Sequence, residues 1–398
     1  MACSSKTPSR SRDDGFRQLL PWLNGGRSYL QAKQQDFRTV IFPGMLGEQN
    51  KAAVEHTSAE LVAMAKQALS RAELDIAEKH CSQAVRKQIL ENRSTEVSWQ
   101  PHFCLGEVLE TKAAKITGNS LEKQRLLLQA GALYNFVKNC IKKGRAVLSA
   151  EGDPLRCDFD SELDKKELEE LRDEAKEYLE SLKQKRSAYD SQEHEKPEKK
   201  FVERASEIRK LCERISSRVK RFLSRVISQC VQVLGDPPCD YEVVVLGSLA
   251  RDEMTPYSDL EWAILISSEE VKCKVFFRNL TNLVHLQIIN LGETILPSMG
   301  IKALSGEWFY DNVTPRGISF DGFLPQACKT PLGNIKDFEL IHCPAKMAEF
   351  QSDSWCQKNP NLADILLTVA PLESNGQTKL IEEYRAQLEK YLCSRVIL

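Results

Sequence analysis

The chain carries no excess of either charge: 55 lysines and arginines stand against 56 aspartates and glutamates in 398 residues. With no net field to draw it there, neither nucleic acid nor an anionic membrane surface is implied as a partner. It has no apolar run approaching the roughly 20 residues of a bilayer-spanning helix. Its opening, MACSSKTPSRSRDDGF, lacks the apolar core of a secretory leader. Paired short cysteine spacings of the zinc kind are also missing. The 13 cysteines are scattered, so they read as buried thiols in a reducing compartment. These absences predict a soluble, cytoplasmic protein with no membrane partner.

What is present is enough chain for two or three domains with sizeable cores. Residues 1–50 are polar at first and then mix aromatics with Gly and Pro, as in WLNGGRSYL and IFPGMLG, which predicts a disordered or irregular segment. Helical periodicity follows over 51–150. Leu61, Ala65, Ala68 and Leu69 mark one apolar stripe, and Leu74, Ala77, Cys81, Ala84 and Val85 a second, which predicts a helical hairpin. LGEVLETKAAKI and LEKQRLLLQAGALYNFVKNC predict a further pair, broken at Gly118 and Asn119, with Ala130 and Ala132 allowing close packing. Residues 151–235 predict two long charged helices. The second has a basic face, Arg204, Arg209, Lys210, Arg214, Arg218, Lys220, Arg221 and Arg225, which is expected to pair with the acidic helix before it. No aromatics interleave with those bases, which argues against single-stranded nucleic acid. Residues 346–398 predict closing helices, in LADILLTVAPL and QTKLIEEYRAQLEKYL. His194 sits in a polar linker and is given no role; His285 lies near an apolar stripe and is expected in the core.

One stretch reads as chemistry: YEVVVLGSLARDEMTPYSDLEWAILI, residues 241–266. The β-branched run 243–246 stops at Gly247 and Ser248, as a buried strand breaks into a tight turn. After a polar segment with Arg251, Asp252, Glu253 and Pro256, the acids Asp259 and Glu261 open a second apolar run. Residues two apart on a strand share a face, so these carboxylates are expected to converge. Like charges that close call for a cation, and magnesium is typically held by one or two carboxylates together with substrate phosphates. Gly247 lets a phosphate approach the backbone, and Ser248 with amides at a helix start is expected to hold it.

GSLARDEMTPYSDLE resembles the signature of the DNA polymerase β nucleotidyltransferase superfamily, in the version found in bacterial signal-protein uridylyltransferases. The resemblance covers roughly residues 236–345. It implies a mixed-sheet nucleotidyltransferase-fold domain, and with the helices before it an α+β protein. It further implies that Asp259 and Glu261 hold magnesium or manganese, that Gly247, Ser248, Arg251 and Ser258 bind the nucleotide, and that a third carboxylate completes a two-metal site. Asp321 in GISFDGFLP is taken for that acid and Asp311 is the fallback; Arg316 and Lys329 are possible phosphate or acceptor contacts. Asp252 stands where those enzymes usually have Gly, and Glu261 where Asp is commoner. The small alanines in the helical hairpins resemble tetratricopeptide repeats, at a longer spacing, which implies a groove for a protein partner.

Three readings follow. The first is an enzyme moving a nucleoside monophosphate from a nucleoside triphosphate to a protein acceptor, of the uridylyl- or adenylyltransferase type. The second is a catalytically inactive scaffold or nucleotide-sensing module. The third, RNA nucleotidyl transfer, requires the basic helix to face the cleft.

Overall fold

The computed structural model describes residues 56–91, 99–118, 120–143, 161–190, 197–306, 309, 311–322, 328–334, 337–372 and 379–396. The expected irregular segment over 1–50 and His194 lie outside them. The protein is mostly helical with a small mixed sheet, an α+β architecture. Among the described residues no helix is long and apolar enough to cross a membrane.

Among the described residues four helices come first: α1 (Ser58–Ser70), α2 (Leu74–Glu91), α3 (Gln100–Lys115) and α4 (Leu121–Lys143). Thr57 starts α1 with a capping box, its hydroxyl accepting from Glu60 N while the Glu60 carboxylate accepts from Thr57 N. Each helix packs on the next through the predicted stripes; Ala65, Ala77, Cys81, Ala84, Val85, Leu105 and Leu133 are fully enclosed. Gly106 lets α3 approach α4, since a side chain there would run into the Tyr134 ring.

Two long helices follow, α5 (Ser161–Asp190) and α6 (Pro197–Leu234). The chain divides into two compact units: residues 56–175 and 208–398 form one, and 176–207 lie in the other. In the smaller unit, Leu179 and Leu182 are buried and the Tyr178 hydroxyl donates to Glu207. In the larger unit, acidic α5 and basic α6 pair as their charges predict. Arg218 lies 2.6 Å and Arg214 3.7 Å from Glu174, while Arg225 reaches Asp164 and Glu167, each at 2.6 Å.

The sheet is built from β1 (Tyr241–Val245), β3 (Trp262–Ile266), β5 (Ile341–His342) and β6 (Ala370–Pro371), in the order β5-β3-β1-β6. β1 runs antiparallel to β3 and β6, and β3 parallel to β5. Alternation along β1 gives each face its own cover. Val244 and Leu246 join a core with Leu265, Met347, Leu366 and Tyr384, supplied by α9 (Pro344–Ala348), α11 (Pro360–Leu366) and α12 (Lys379–Val396). Tyr241, on the opposite face, meets Phe277 of α8 (Val271–Asn290) with ring centroids 4.9 Å apart. Helix α8 in turn bonds to α4, Gln124 Nε2 lying 2.6 Å from Asn279 Oδ1, so the helical hairpins and the sheet share one compact unit.

One segment departs from expectation. LADILLTVAPL is not a single closing helix: α11 ends at Leu366 and Ala370–Pro371 pairs with β1. Pro371 has no N–H to donate, so this strand suits only the sheet edge it occupies.

Candidate functional site

β1 feeds the site directly. Leu246 N donates to Glu261 O at 2.9 Å, and the chain then folds into a single helical turn, α7 (Gly247–Ala250). Gly247 is required twice over. Its φ is +56°, and a Cβ there would sit 1.7 Å from Glu261 Oε2. The Glu261 carboxylate thus lies directly over the glycine backbone.

After this turn the loop is held to α6. Asp252 is left-handed at φ +54°, and its carboxylate takes Lys220 Nζ at 2.8 Å. Met254, fully buried, donates its N–H to Ser216 Oγ at 3.3 Å. Glu253 N closes back on Ser248 O at 2.8 Å. Two of the predicted phosphate contacts are engaged within this loop. Arg251 is exposed with Nε 2.8 Å from Glu253, and the Ser258 hydroxyl accepts from Thr255 N at 3.0 Å.

The acids do not open one continuous strand. Asp259 belongs to β2 (Asp259–Leu260), which forms a separate two-stranded parallel sheet with β4 (Ser319–Phe320); Glu261 stands at the joint, and β3 begins one residue later in the larger sheet. The register pairs Asp259 with Ser319 and Leu260 with Phe320, and Asp321 N donates to Leu260 O at 2.9 Å. This continues the ladder and brings Asp321 beside Glu261. Asp311 is spent elsewhere: its carboxylate accepts from Leu296, Val313 and Thr314 N–H groups at 2.9 to 3.0 Å.

Lys329 closes the group. Its carbonyl accepts from Trp262 N at 3.1 Å and its own N–H donates to Asp321 Oδ2 at 2.9 Å. Its ammonium lies 3.0 Å from Glu261 Oε1 and 3.7 Å from Asp321 Oδ2. Burial pulls the Lys329 amine down, but the charges of Glu261 and Asp321 outweigh it and the net shift is upward. Asp321 is buried, and that burial pushes its carboxyl up to about 6 despite Lys329. The Asp259 carboxyl also stands above its ordinary range. Loss of water around the carboxyl is the main cause, although the residue as a whole stays exposed; Glu261 adds to the shift and Arg316 opposes it.

Behind the acids the floor is apolar. The His285 ring stacks on Phe320 at 3.9 Å and meets Trp262 edge-on at 6.2 Å; fully buried, it is driven down to about 3 and stays neutral. The approach to β4 is fixed from α5. Arg172 makes a two-pronged bond to buried Glu293, which also accepts from Ile318 N at 2.9 Å. Sequence reasoning missed Ser216, Arg172 and Glu293, and it read Lys220 only as one base of a face expected to pair with the acidic helix, where the structure pairs it with Asp252. Each lies far from the motif in the chain and carries no local signal.

The donor set is all carboxylate, the hard oxygen chemistry that suits magnesium or manganese. Among the described residues no group of three carboxylates, imidazoles or thiolates is arranged to hold a metal ion.

No curated protein matches the chain. Residues 193–303 match the family model described as "Putative nucleotidyltransferase DUF294". The matched region contains the Gly247 turn, Asp259 and Glu261 and stops before Asp321 and Lys329, so this part of the chain is similar to a nucleotidyltransferase-type family.

Proposed function

We propose that residues 236–345 adopt a nucleotidyltransferase fold and transfer a nucleoside monophosphate from a nucleoside triphosphate to a protein acceptor. The observation that carries this reading is Glu261 lying over Gly247, with Asp259 and Asp321 alongside, in a region similar to a nucleotidyltransferase-type family. The space over the Gly247 backbone is taken by Glu261, so the phosphates would be met by the Ser248 hydroxyl and the backbone amides after it. Asp259 and Glu261, with Asp321 nearby but not set with them as a ready three-carboxylate cage, would hold magnesium or manganese together with the phosphate oxygens, and the ion when bound would supply charge neutralisation for the phosphates. Asp321, with its carboxyl near 6, is ionised at pH 7 and suited to accept the proton of an acceptor hydroxyl. The acceptor oxygen forms a bond to the α-phosphorus, the bond to the pyrophosphate oxygen breaks, and pyrophosphate leaves. Water is excluded from beneath by Trp262, Phe320 and His285.

The two hairpins α1 to α4, read as tetratricopeptide-like, would recruit the acceptor protein. They favour it over RNA, because part of the basic face of α6 is occupied: Arg214, Arg218 and Arg225 pair with α5, and Lys220 with Asp252.

A second reading has its own support. The Lys329 ammonium already neutralises Glu261. That suits a catalytically inactive module that senses nucleotide or serves as a scaffold.

The test is the thermal midpoint with each nucleoside triphosphate plus magnesium, beside Asp259→Asn. A site filled at about a hundred times its dissociation constant gains roughly 2.7 kcal/mol. The expected result is a magnesium-dependent rise for one nucleotide, lost in the variant. Binding without pyrophosphate release favours the sensing module, and no shift with any nucleotide removes the site.

A further inference from the structure

We propose that Lys329 is itself one of the cations of this site, so that the acidic group accepts a single divalent ion, on the Asp259 side, where a fully acidic site would take two. The proposal rests on the nucleotide-site reading above and goes beyond it.

The position of Lys329 is built into the fold. Its backbone is held on both sides, the carbonyl by Trp262 N at 3.1 Å and the N–H by Asp321 Oδ2 at 2.9 Å. The next residues are clamped as well, with Gly333 N on Thr330 O at 2.8 Å and Leu340 N on Pro331 O at 2.9 Å. From this fixed base the side chain places its ammonium 3.0 Å from Glu261 and 3.7 Å from Asp321. A lysine ammonium is a compact point charge with donors free to rotate, suited to bridge two carboxylates from a small volume. The side chain is only 19% exposed, so it cannot swing into water without leaving two acids facing each other in a partly buried site. A divalent ion seated between the same two carboxylates would meet this positive charge at close range. Asp259 differs, because it stands on the exposed side of the group and Arg316 affects it only through its field.

The count of bound manganese decides the matter. Wild type and Lys329→Met are titrated with Mn2+ and followed by electron paramagnetic resonance, each with a nucleoside triphosphate analogue that resists cleavage at the α-phosphorus. The expected result is one manganese per chain in wild type and two in Lys329→Met. Two in wild type, or one in both, overturns the proposal while leaving the nucleotide site in place. No manganese-dependent nucleotide binding in either protein overturns the nucleotide site itself and the proposal with it.

A second measurement on wild type alone does not need the variant to fold. Acetylation of Lys329 is followed by mass spectrometry, with the 65% exposed Lys272 as internal reference. Reactivity that stays low after manganese and analogue are added supports a retained ammonium. A rise to the rate of Lys272 shows displacement and overturns the proposal.

Discussion

Compare the acidic site with the charge network beside β5. At the site, Asp259, Glu261 and Asp321 share Lys329, and both aspartates are shifted above their ordinary range. Beside β5, Lys274 lies 3.0 Å from both Glu269 and Glu339, Arg278 pairs with Glu339 at 2.8 Å, and His342 Nδ1 sits 3.2 Å from Glu269. Burial pushes Glu269 up, but bonds from Cys343 N–H and Lys274 outweigh it and hold it at about 2. Glu339 is likewise lowered against its burial, chiefly by Arg278 and Lys274. His342 is pushed down by burial and Lys274. Burial raises every one of these carboxylates, and the cations beside each decide whether the net shift is up or down. Where cations match acids the network satisfies itself and serves the fold. Where acids outnumber cations, positive charge is still wanted, which is the condition of a binding site.

The largest effect is expected from breaking the balanced network. Lys274→Met removes a buried ammonium shared by two half-buried acids, leaving Glu269 with the Cys343 N–H and Glu339 with Arg278, and should cost about 3 kcal/mol in urea unfolding. A loss below about 1 kcal/mol would mean that water already serves those acids.

Next comes the floor of the acidic site. Gly247→Ala forces a side chain onto a φ of +56° and into Glu261 Oε2. About 2–3 kcal/mol should be lost, as strain and displacement of the carboxylate combine. The magnesium-dependent thermal shift should vanish even at temperatures where the variant is folded. Retained nucleotide binding would show that Glu261 need not stand where it does.

Asp321→Asn should move stability the other way. The folded carboxyl titrates at about 6, above its unfolded value, so the fold favours the protonated form. Stability from this group is complete below the unfolded value and is lost as pH rises through about 6. Two units correspond to roughly 3 kcal/mol. The amide recovers only part, about 1–2 kcal/mol at pH 8, because its N–H2 needs acceptors that the carboxylate did not. The gain should fade toward pH 4.5, where wild-type Asp321 is itself protonated. Glu269 has the reverse dependence, its contribution being lost as pH falls toward 2. A variant less stable than wild type at pH 8 would place Asp321 with the satisfied network instead.

Much of this was legible in the sequence. The helices announced themselves by period, and Gly247, Asp259 and Glu261 by chemistry. The two-residue strands β2, β5 and β6 could not be read, because alternation needs more residues than they have. For the same reason Asp259 and Glu261 looked like the start of one strand, when the joint between two sheets separates them. Asp321 was already preferred to Asp311 in the sequence, and the β2–β4 register sets it beside Glu261. Lys220 was visible only as one of many bases on a helix face, and its partner lies 32 residues away.

The smallest expected effect sharpens the comparison at the rim of the site. Asp252 stood out in the sequence as a negative charge where the resemblance implied Gly, and the structure supplies a second reason for Gly there: φ is +54°. A left-handed non-glycine residue costs of order 1 kcal/mol, least for Asp and Asn. Here the Lys220 pair, half exposed at Asp252, offsets part of it by up to about 1 kcal/mol. Asp252→Gly removes both terms, so stability should stay within about 0.5 kcal/mol of wild type, while nucleotide binds several-fold more tightly because a negative charge has gone and Lys220 is freed. Asp252→Ala loses the ion pair but keeps the strain, and should fall about 1–2 kcal/mol below the glycine variant. Comparing Gly with Ala thus separates backbone from charge. If the two are equally stable, the backbone makes no demand at this position, and Asp252 is there for Lys220 alone.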